Sequence, residues 1–172
     1  MSILSIITAP DPRLKVASEP VSEVDDAVRK LMDDMLATMY EAPGIGLSAI
    51  QVGVPRQVIV ADCAREGEPR APLFLVNPRL VWFSEDGVVM NEGCLSLPEH
   101  FAEVERPERV RVEFLDYHGK EQSLEADGLL SRCIQHEHDH LSGVLFVDHI
   151  SALKRNMILR KLVKARRQKA SA

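Results

Sequence analysis

No uninterrupted apolar run in this 172-residue chain exceeds four residues; 80–83 (Leu-Val-Trp-Phe) and 144–147 (Val-Leu-Phe-Val) are examples. A membrane-spanning helix needs about 20 apolar residues, so none is expected. The opening Met1-Ser2-Ile3-Leu4 lacks the basic start and apolar stretch of a secretory signal. Cysteine is scarce: Cys63, Cys94 and Cys133 are an odd number without scaffold spacing, which excludes a small fold stapled by disulfides. Repeats, low-complexity segments and linkers are missing as well. These absences fit a protein of the reducing cytoplasm, where a thiol is free to bind metal. What remains is ordinary globular material, 45% hydrophobic and 27% charged. The length suits one domain over residues 1–172 with a core of its own.

Charge is unevenly spread. The net is −5, yet residues 149–172 hold eight Lys/Arg and no Asp/Glu, so the rest of the chain carries −13. An acidic body with a basic tail needs a reason.

Residues 2–21 read as extended and turn-rich, broken by Pro10, Pro12 and Pro20. A helix should follow, capped by Ser22 with Asp25 three residues on. Val24, Val28, Leu31, Met32, Met35, Leu36 and Met39 recur at helical spacing as a core stripe, and Pro43-Gly44 stops it. Strand-like runs come next at 57–61, 73–77, 80–83 and 88–90, with Glu85-Asp86-Gly87 as an expected hairpin turn between the last two. Residues 109–116 alternate Val110, Val112 and Phe114 against Arg109, Arg111 and Glu113, the pattern of a half-buried antiparallel strand. After the His118-Gly119 turn a return strand spans 121–126. A second helix should run from the N-cap Asp127 to Leu141, with Gly143 at its left-handed stop. A third starts near Ser151 and carries the basic tail to about residue 168. Strands set between helices, not alternating with them, predict an α+β fold: antiparallel or mixed sheets around a central helix, with a helix near each end.

The central helix contains Gln135-His136-Glu137-His138-Asp139-His140. His136 and His140 are four apart and lie one above the other on one helical face, so both imidazoles can hold one metal ion. Glu137 can set a carboxylate beside a metal-polarised water. His138 lies about 200° round the helix from either, at 3.6 residues per turn, and points away; Asp139 is off the metal face and could orient the helix. Two ligands underfill a metal site. Cys94, Cys63, Cys133 or a carboxylate could be the third. Cys133 stands too close to His136 on the same helix to ligate easily, and Cys63 reads as a small buried hydrophobe. Cys94, in Glu92-Gly93-Cys94-Leu95-Ser96-Leu97-Pro98, offers a thiolate that suits a borderline-soft cation. A further motif, Gly44-Ile45-Gly46-Leu47-Ser48-Ala49-Ile50-Gln51, lets a ligand approach the backbone. It lacks the Lys-Ser/Thr pair of a phosphate loop.

These three motifs, in this order and spacing, resemble the peptide deformylase family, and the resemblance spans nearly the whole chain. Pro10-Asp11-Pro12-Arg13-Leu14 and Glu125-Ala126-Asp127-Gly128-Leu129-Leu130 belong to it. The resemblance implies Cys94, His136 and His140 as ligands of one divalent metal, Fe(II) expected, with Zn(II), Ni(II) or Co(II) able to substitute. It implies removal of the formyl group from formyl-methionine at the start of nascent peptides. Glu137 would carry the proton, and the Gln51 side-chain amide and the Leu95 backbone N–H would stabilise the oxyanion. Ile45 and Gly46 would pair with the extended substrate; Ile45, Leu129, Arg132 and Cys133 would line the methionine pocket.

The chain departs from the family pattern in places. Arg132 stands where an apolar residue is usual. It is expected at the pocket rim, stem over apolar surface and charge in water, or else with its guanidinium partly filling the site. That second placement would make the chain a deformylase-like paralogue with altered preference or low activity. Phe101 stands near a usual polar or basic substrate contact. Ser48 replaces the usual alanine, and its hydroxyl needs a partner. The basic tail resembles the long terminal helix of the bacterial type, which implies docking to ribosomal RNA; Ile158, Leu162 and Ala165 would face the body. A metallopeptidase could share the helix motif, though not Cys94.

Overall fold

The computed structural model describes residues 1–171. Among these residues three α-helices and seven strands follow in order: α1 (Asp26–Glu41), β1 (Gly46–Ser48), β2 (Val58–Ala61), β3 (Leu73–Phe83), β4 (Gly87–Cys94), β5 (Leu97–Pro107), β6 (Val110–Leu115), β7 (Glu121–Ala126), α2 (Gly128–His140) and α3 (Ala152–Ser171). The fold is α+β, as the order of elements predicted.

The strands form two antiparallel sheets, one of five strands in the order β1-β2-β3-β6-β7, the other the two-stranded ribbon β4-β5. β2 is buried on both faces, which explains its continuous Val-Ile-Val-Ala run. On one face Val58 and Val60 pack with Met32, Met35 and Met39 of α1. On the other, Ile59 joins Leu75, Val110, Val112, Phe114 and, from α2, Ile134. The methionine stripe is therefore core, and α2 is pressed against the sheet. A third cluster joins Leu97 and Val104 of the ribbon to Ile7, Leu14, Phe146 and Leu162; α2 reaches the ribbon through bonds from Arg132 to Val88 O and Val104 O and from Gln135 to Pro107 O, so it runs between the sheet and the ribbon.

Several boundaries differ from expectation. Asp25, not Ser22, caps α1, accepting a hydrogen bond from Val28 N at 2.9 Å. Residues 73–83 form one strand because it passes Pro78 at a break in register, where a missing N–H is tolerated. Asn77 there takes φ +51° and its side chain accepts from Val21 N and donates to Val21 O. Glu85-Asp86-Gly87 is not a hairpin turn: Phe83 pairs with Val110 while Val88 pairs with Arg106, so the chain crosses between sheets there. The hairpin is β4-β5, turning at Leu95-Ser96. β1 and β5 were not expected as strands. α3 runs to Ser171. Leu162 is buried and Ile158 and Leu159 are partly so, but Ala165 is exposed.

Candidate metal centre and substrate cavity

Asp127 begins α2 as its N-cap residue. The helix ends where Gly143, at φ +74°, passes over Lys15; a Cβ there would meet Lys15 O at 2.5 Å. Between these ends His136 and His140 lie on one face with rings 5.1 Å apart. The ribbon brings Cys94, its last β4 residue, to that face. Its Sγ is 3.5 Å from His140 Nε2. One donor atom from each of Cys94, His136 and His140 lies within 4.8 Å of the other two, and both histidines are buried. A sulfur and two imidazoles suit a borderline-soft divalent cation such as Fe(II) or Zn(II). His138 is not in the cluster.

A buried carboxylate orders this face. Glu92 Oε1 pairs with His136 Nδ1 at 3.0 Å, which leaves Nε2 for the cluster. Such a bond fixes the ring and its tautomer. Arg106 clamps Glu92 with two bonds, 2.6 and 3.0 Å, and reaches Asp139 at 3.0 Å, where His149 also lands at 2.8 Å. Burial alone would raise the Glu92 carboxyl, but His136 and Arg106 outweigh it and bring it down to about 2. His140 is held well below the ordinary histidine range by burial and by His136 beside it. His136 moves the other way: burial lowers it, but its bonds to Cys94 and Glu92 prevail. Adjacent imidazoles cannot both hold a proton cheaply, and a bound cation needs both neutral.

Glu137 is buried on the same turn. Burial raises its carboxyl above the ordinary range, against the pull of His136 and Ser48. Its Oε1 is 3.9 Å from His136 Nε2. The Ser48 hydroxyl supplies the missing partner question with its answer: its oxygen is 2.9 Å from Glu137 Oε2 and 2.8 Å from the Glu137 carbonyl. Gly46 permits this approach, since a Cβ there would meet Cys133 Sγ at 2.7 Å and Glu137 Oε1 at 2.8 Å. Gln51 is buried; its Oε1 accepts from Ser48 N at 2.9 Å, and its Nε2 donates to Ser96 Oγ at 3.0 Å and faces Cys94 Sγ at 3.6 Å.

A cavity of about 550 Å³ opens over these groups. Ile45, Gly46, Cys94, Leu95, Leu129, Arg132, Cys133, His136 and Glu137 all line it, while Gln51 and His140 are not among its lining residues. Phe101 also lines it, exposed and laid across Gly93. Arg132 corrects the rim expectation. It is only 6% exposed. Its guanidinium donates to Glu92 Oε2 at 2.5 Å, Val104 O at 2.9 Å and Val88 O at 2.6 Å, so the charge is neither in water nor free in the site. Glu92 and Arg106 had no assigned role at the level of sequence. The available signal was a glutamate two residues before the candidate thiolate, with no neutralising partner nearby in the chain.

A thiolate and two imidazoles around one position, with a buried carboxylate alongside and an open cavity above, make the donor set of a mononuclear metal hydrolase. The sequence model of the family described as polypeptide deformylase matches residues 3–156. A peptide deformylase of Phenylobacterium zucineum is 56% identical over 164 residues, covering 95% of this chain and 97% of that protein. One of Brucella suis is 54% identical over 171 residues, 99% and 98% of the two chains. The crystal structure of peptide deformylase from Ehrlichia chaffeensis superposes with a TM-score of 0.94 at 42% identity, over 98% of this chain and 99% of that one. The same enzyme in complex with actinonin gives 0.92 at 44% identity, over 96% and 98%. The chain belongs to the polypeptide deformylase family and is an enzyme of that family, a hydrolase.

Proposed function

We propose that the residues gathered on α2 and the ribbon divide the hydrolysis of an N-formyl group from formyl-methionine peptides as follows. Cys94, His136 and His140 would hold one divalent cation, Fe(II) by preference, with Zn(II), Ni(II) or Co(II) as substitutes. When bound, such an ion acidifies a water and polarises a carbonyl. Glu137, its carboxyl raised by burial and steadied by Ser48, takes the proton of the attacking water and returns it to the departing amine. Gln51 Nε2, which faces Cys94 Sγ, and the backbone N–H of Leu95 in the ribbon turn stabilise the negative oxygen. The main chain at Ile45 and Gly46 pairs with the extended peptide. The methionine side chain lies among Ile45, Leu129, Cys133 and the buried stem of Arg132. Because the Arg132 guanidinium is bound to Glu92 and two carbonyls, this reading favours ordinary turnover over a weakly active paralogue.

The observation that carries the reading is the meeting of Cys94 with two helix histidines beside buried Glu137. Residues 1–172 act as one catalytic domain in the cytoplasm, on chains emerging from the ribosome. The exposed basic part of α3 supports docking to ribosomal RNA. No helix among the described residues is long and apolar enough to cross a membrane. Formate release from formyl-Met-Ala tests the reaction. It should proceed, stop with chelator and return with added metal, while unformylated Met-Ala stays intact. Cleavage of the unformylated peptide, or chelator-resistant formate release, would refute the assignment.

A further inference from the structure

Arg132, buried against the ribbon, leaves hydrogen-bonding capacity unused. An arginine carries five N–H donors in a rigid planar fork. Nη1 of Arg132 uses both of its protons, on Glu92 Oε2 and on Val104 O at 2.9 Å, and Nη2 uses one on Val88 O at 2.6 Å. Nε–H and the second N–H of Nη2 have no acceptor among the described residues. The sealed-in side-chain atoms that lack a partner there are Ser18 Oγ and His140 Nδ1, and Arg132 Nε is not one of them. It therefore meets open space, and the open space that Arg132 lines is the cavity over Cys94, His136 and Glu137. Its neighbours on that wall are apolar: Ile45, Leu129 and Cys133. Arg132 stands one turn before His136 on the same face of α2, about 5 Å along the axis.

We propose that Arg132 is a specificity-determining residue that opens the pocket to first side chains ending in a neutral hydrogen-bond acceptor, so that N-formyl peptides beginning with methionine sulfoxide are substrates alongside those beginning with methionine. The inference rests on the reading of the cavity above, in which the first side chain lies among Ile45, Leu129, Cys133 and Arg132. On that reading the unused N–H groups face the end of this side chain, one turn away from the ligands and the formyl carbon.

A sulfoxide oxygen is a strong acceptor, a thioether sulfur a weak one, and the methylene that replaces it in norleucine none. In a wholly apolar pocket the sulfoxide would lose its water without compensation. Arg132 compensates it, and because three bonds already hold the guanidinium, the remaining donors are fixed before the peptide arrives. Charge narrows the class further. Glu92 and Asp139 match Arg106 and Arg132 in number and contact, so a substrate carboxylate would enter as an unbalanced buried charge. A neutral acceptor adds none.

The test follows formate release by the full, metal-loaded chain from three peptides: formyl-Met-Ala, the same peptide with methionine sulfoxide, and the same peptide with norleucine. Values of kcat/KM are compared as ratios within one preparation, so any loss of folded or loaded enzyme cancels. The parent should hydrolyse the sulfoxide peptide faster than the norleucine peptide. One hydrogen bond to a charged donor shifts such a ratio by about 10- to 100-fold, so Arg132→Leu should lower the sulfoxide-to-norleucine ratio by that factor and reverse the order. If the leucine variant does not fold, the order in the parent decides alone. Faster hydrolysis of norleucine by the parent, or an unchanged ratio in folded Arg132→Leu, would overturn the proposal and leave the reading of the cavity standing on formyl-Met-Ala. No formate from formyl-Met-Ala would overturn that reading, and this proposal with it.

Discussion

Replacing Arg132 by leucine separates two descriptions of the pocket by their energies. A residue resting on the rim with its charge in water contributes little, and its loss changes stability by about 0.5 kcal/mol or less. The observed Arg132 is buried with three bonds, one of them to the Glu92 carboxylate. A buried hydrogen bond to a charged group is worth about 1.5–3 kcal/mol, and a neutral one about 1 kcal/mol. The guanidinium is charged, so all three bonds are of the first kind, and at the lower end of that range their loss removes about 4.5 kcal/mol, within the range of about 3–5 kcal/mol for breaking a buried ion pair from one side. The leucine side chain regains part of this by its own burial. Arg106 and His136 still hold Glu92, which keeps the carboxylate from being stranded. The net expectation is a loss of about 3 kcal/mol. Arg132→Lys, which keeps the charge but not the planar fork, should lose less than the leucine variant.

Equilibrium urea unfolding followed by circular dichroism measures this, at fixed zinc excess because bound metal shifts apparent stability by mass action. The midpoint should fall with little change in slope. A leucine variant within 0.5 kcal/mol of the parent, on the order of an ordinary surface substitution, would refute the buried-network reasoning and return Arg132 to the rim.

Gln51→Ala should slow formate release by about 100- to 1,000-fold, the usual effect of one lost oxyanion donor, with zinc content by elemental analysis unchanged; undiminished turnover would remove Gln51 from the reaction. The Glu92 carboxyl sits at about 2 in the folded protein against an ordinary 4.5. A depressed carboxylate contributes stability that is present above pH 4.5 and lost as pH falls toward 2. Acid titration of stability should therefore show a decline of about 3 kcal/mol over that window, about 1.4 kcal/mol per unit, that Glu92→Gln lacks; equal declines in both proteins would refute it. A chain ending at Val163 keeps buried Leu162 but loses Lys164, Arg166, Arg167 and Lys169. It should unfold at the parent temperature yet co-sediment with ribosomes more weakly and with a shallower dependence on salt; unchanged co-sedimentation would refute docking through the tail.

The parts of the site that were legible in the sequence are those held by one helix or one motif. The four-residue spacing of His136 and His140 fixes their common face whatever packs on it, and the alternation in residues 110–115 marks a strand because one side is buried: Val110, Val112 and Phe114. β5 was illegible for the opposite reason. It belongs to a two-stranded ribbon in which only Leu97, Val104 and Arg106 are buried, one of them charged, so the apolar alternation is too sparse to read, and Pro98 near its start reads as a stop. That single omission concealed the rest. With β5 unseen, Arg106 had no reason to face Glu92, and the Glu85-Asp86-Gly87 segment was read as the turn that Leu95-Ser96 supplies. Helical geometry does put Arg132 one turn before His136. It cannot say that a glutamate forty residues upstream waits at the right depth. An arginine in an otherwise apolar pocket position, together with an acidic residue beside a metal thiolate, therefore requires a buried pairing between them, because each would be intolerable inside alone. The same reasoning covers Ser48: a hydroxyl at a position usually apolar is accommodated because the last turn of α2 offers the Glu137 carbonyl and carboxylate together.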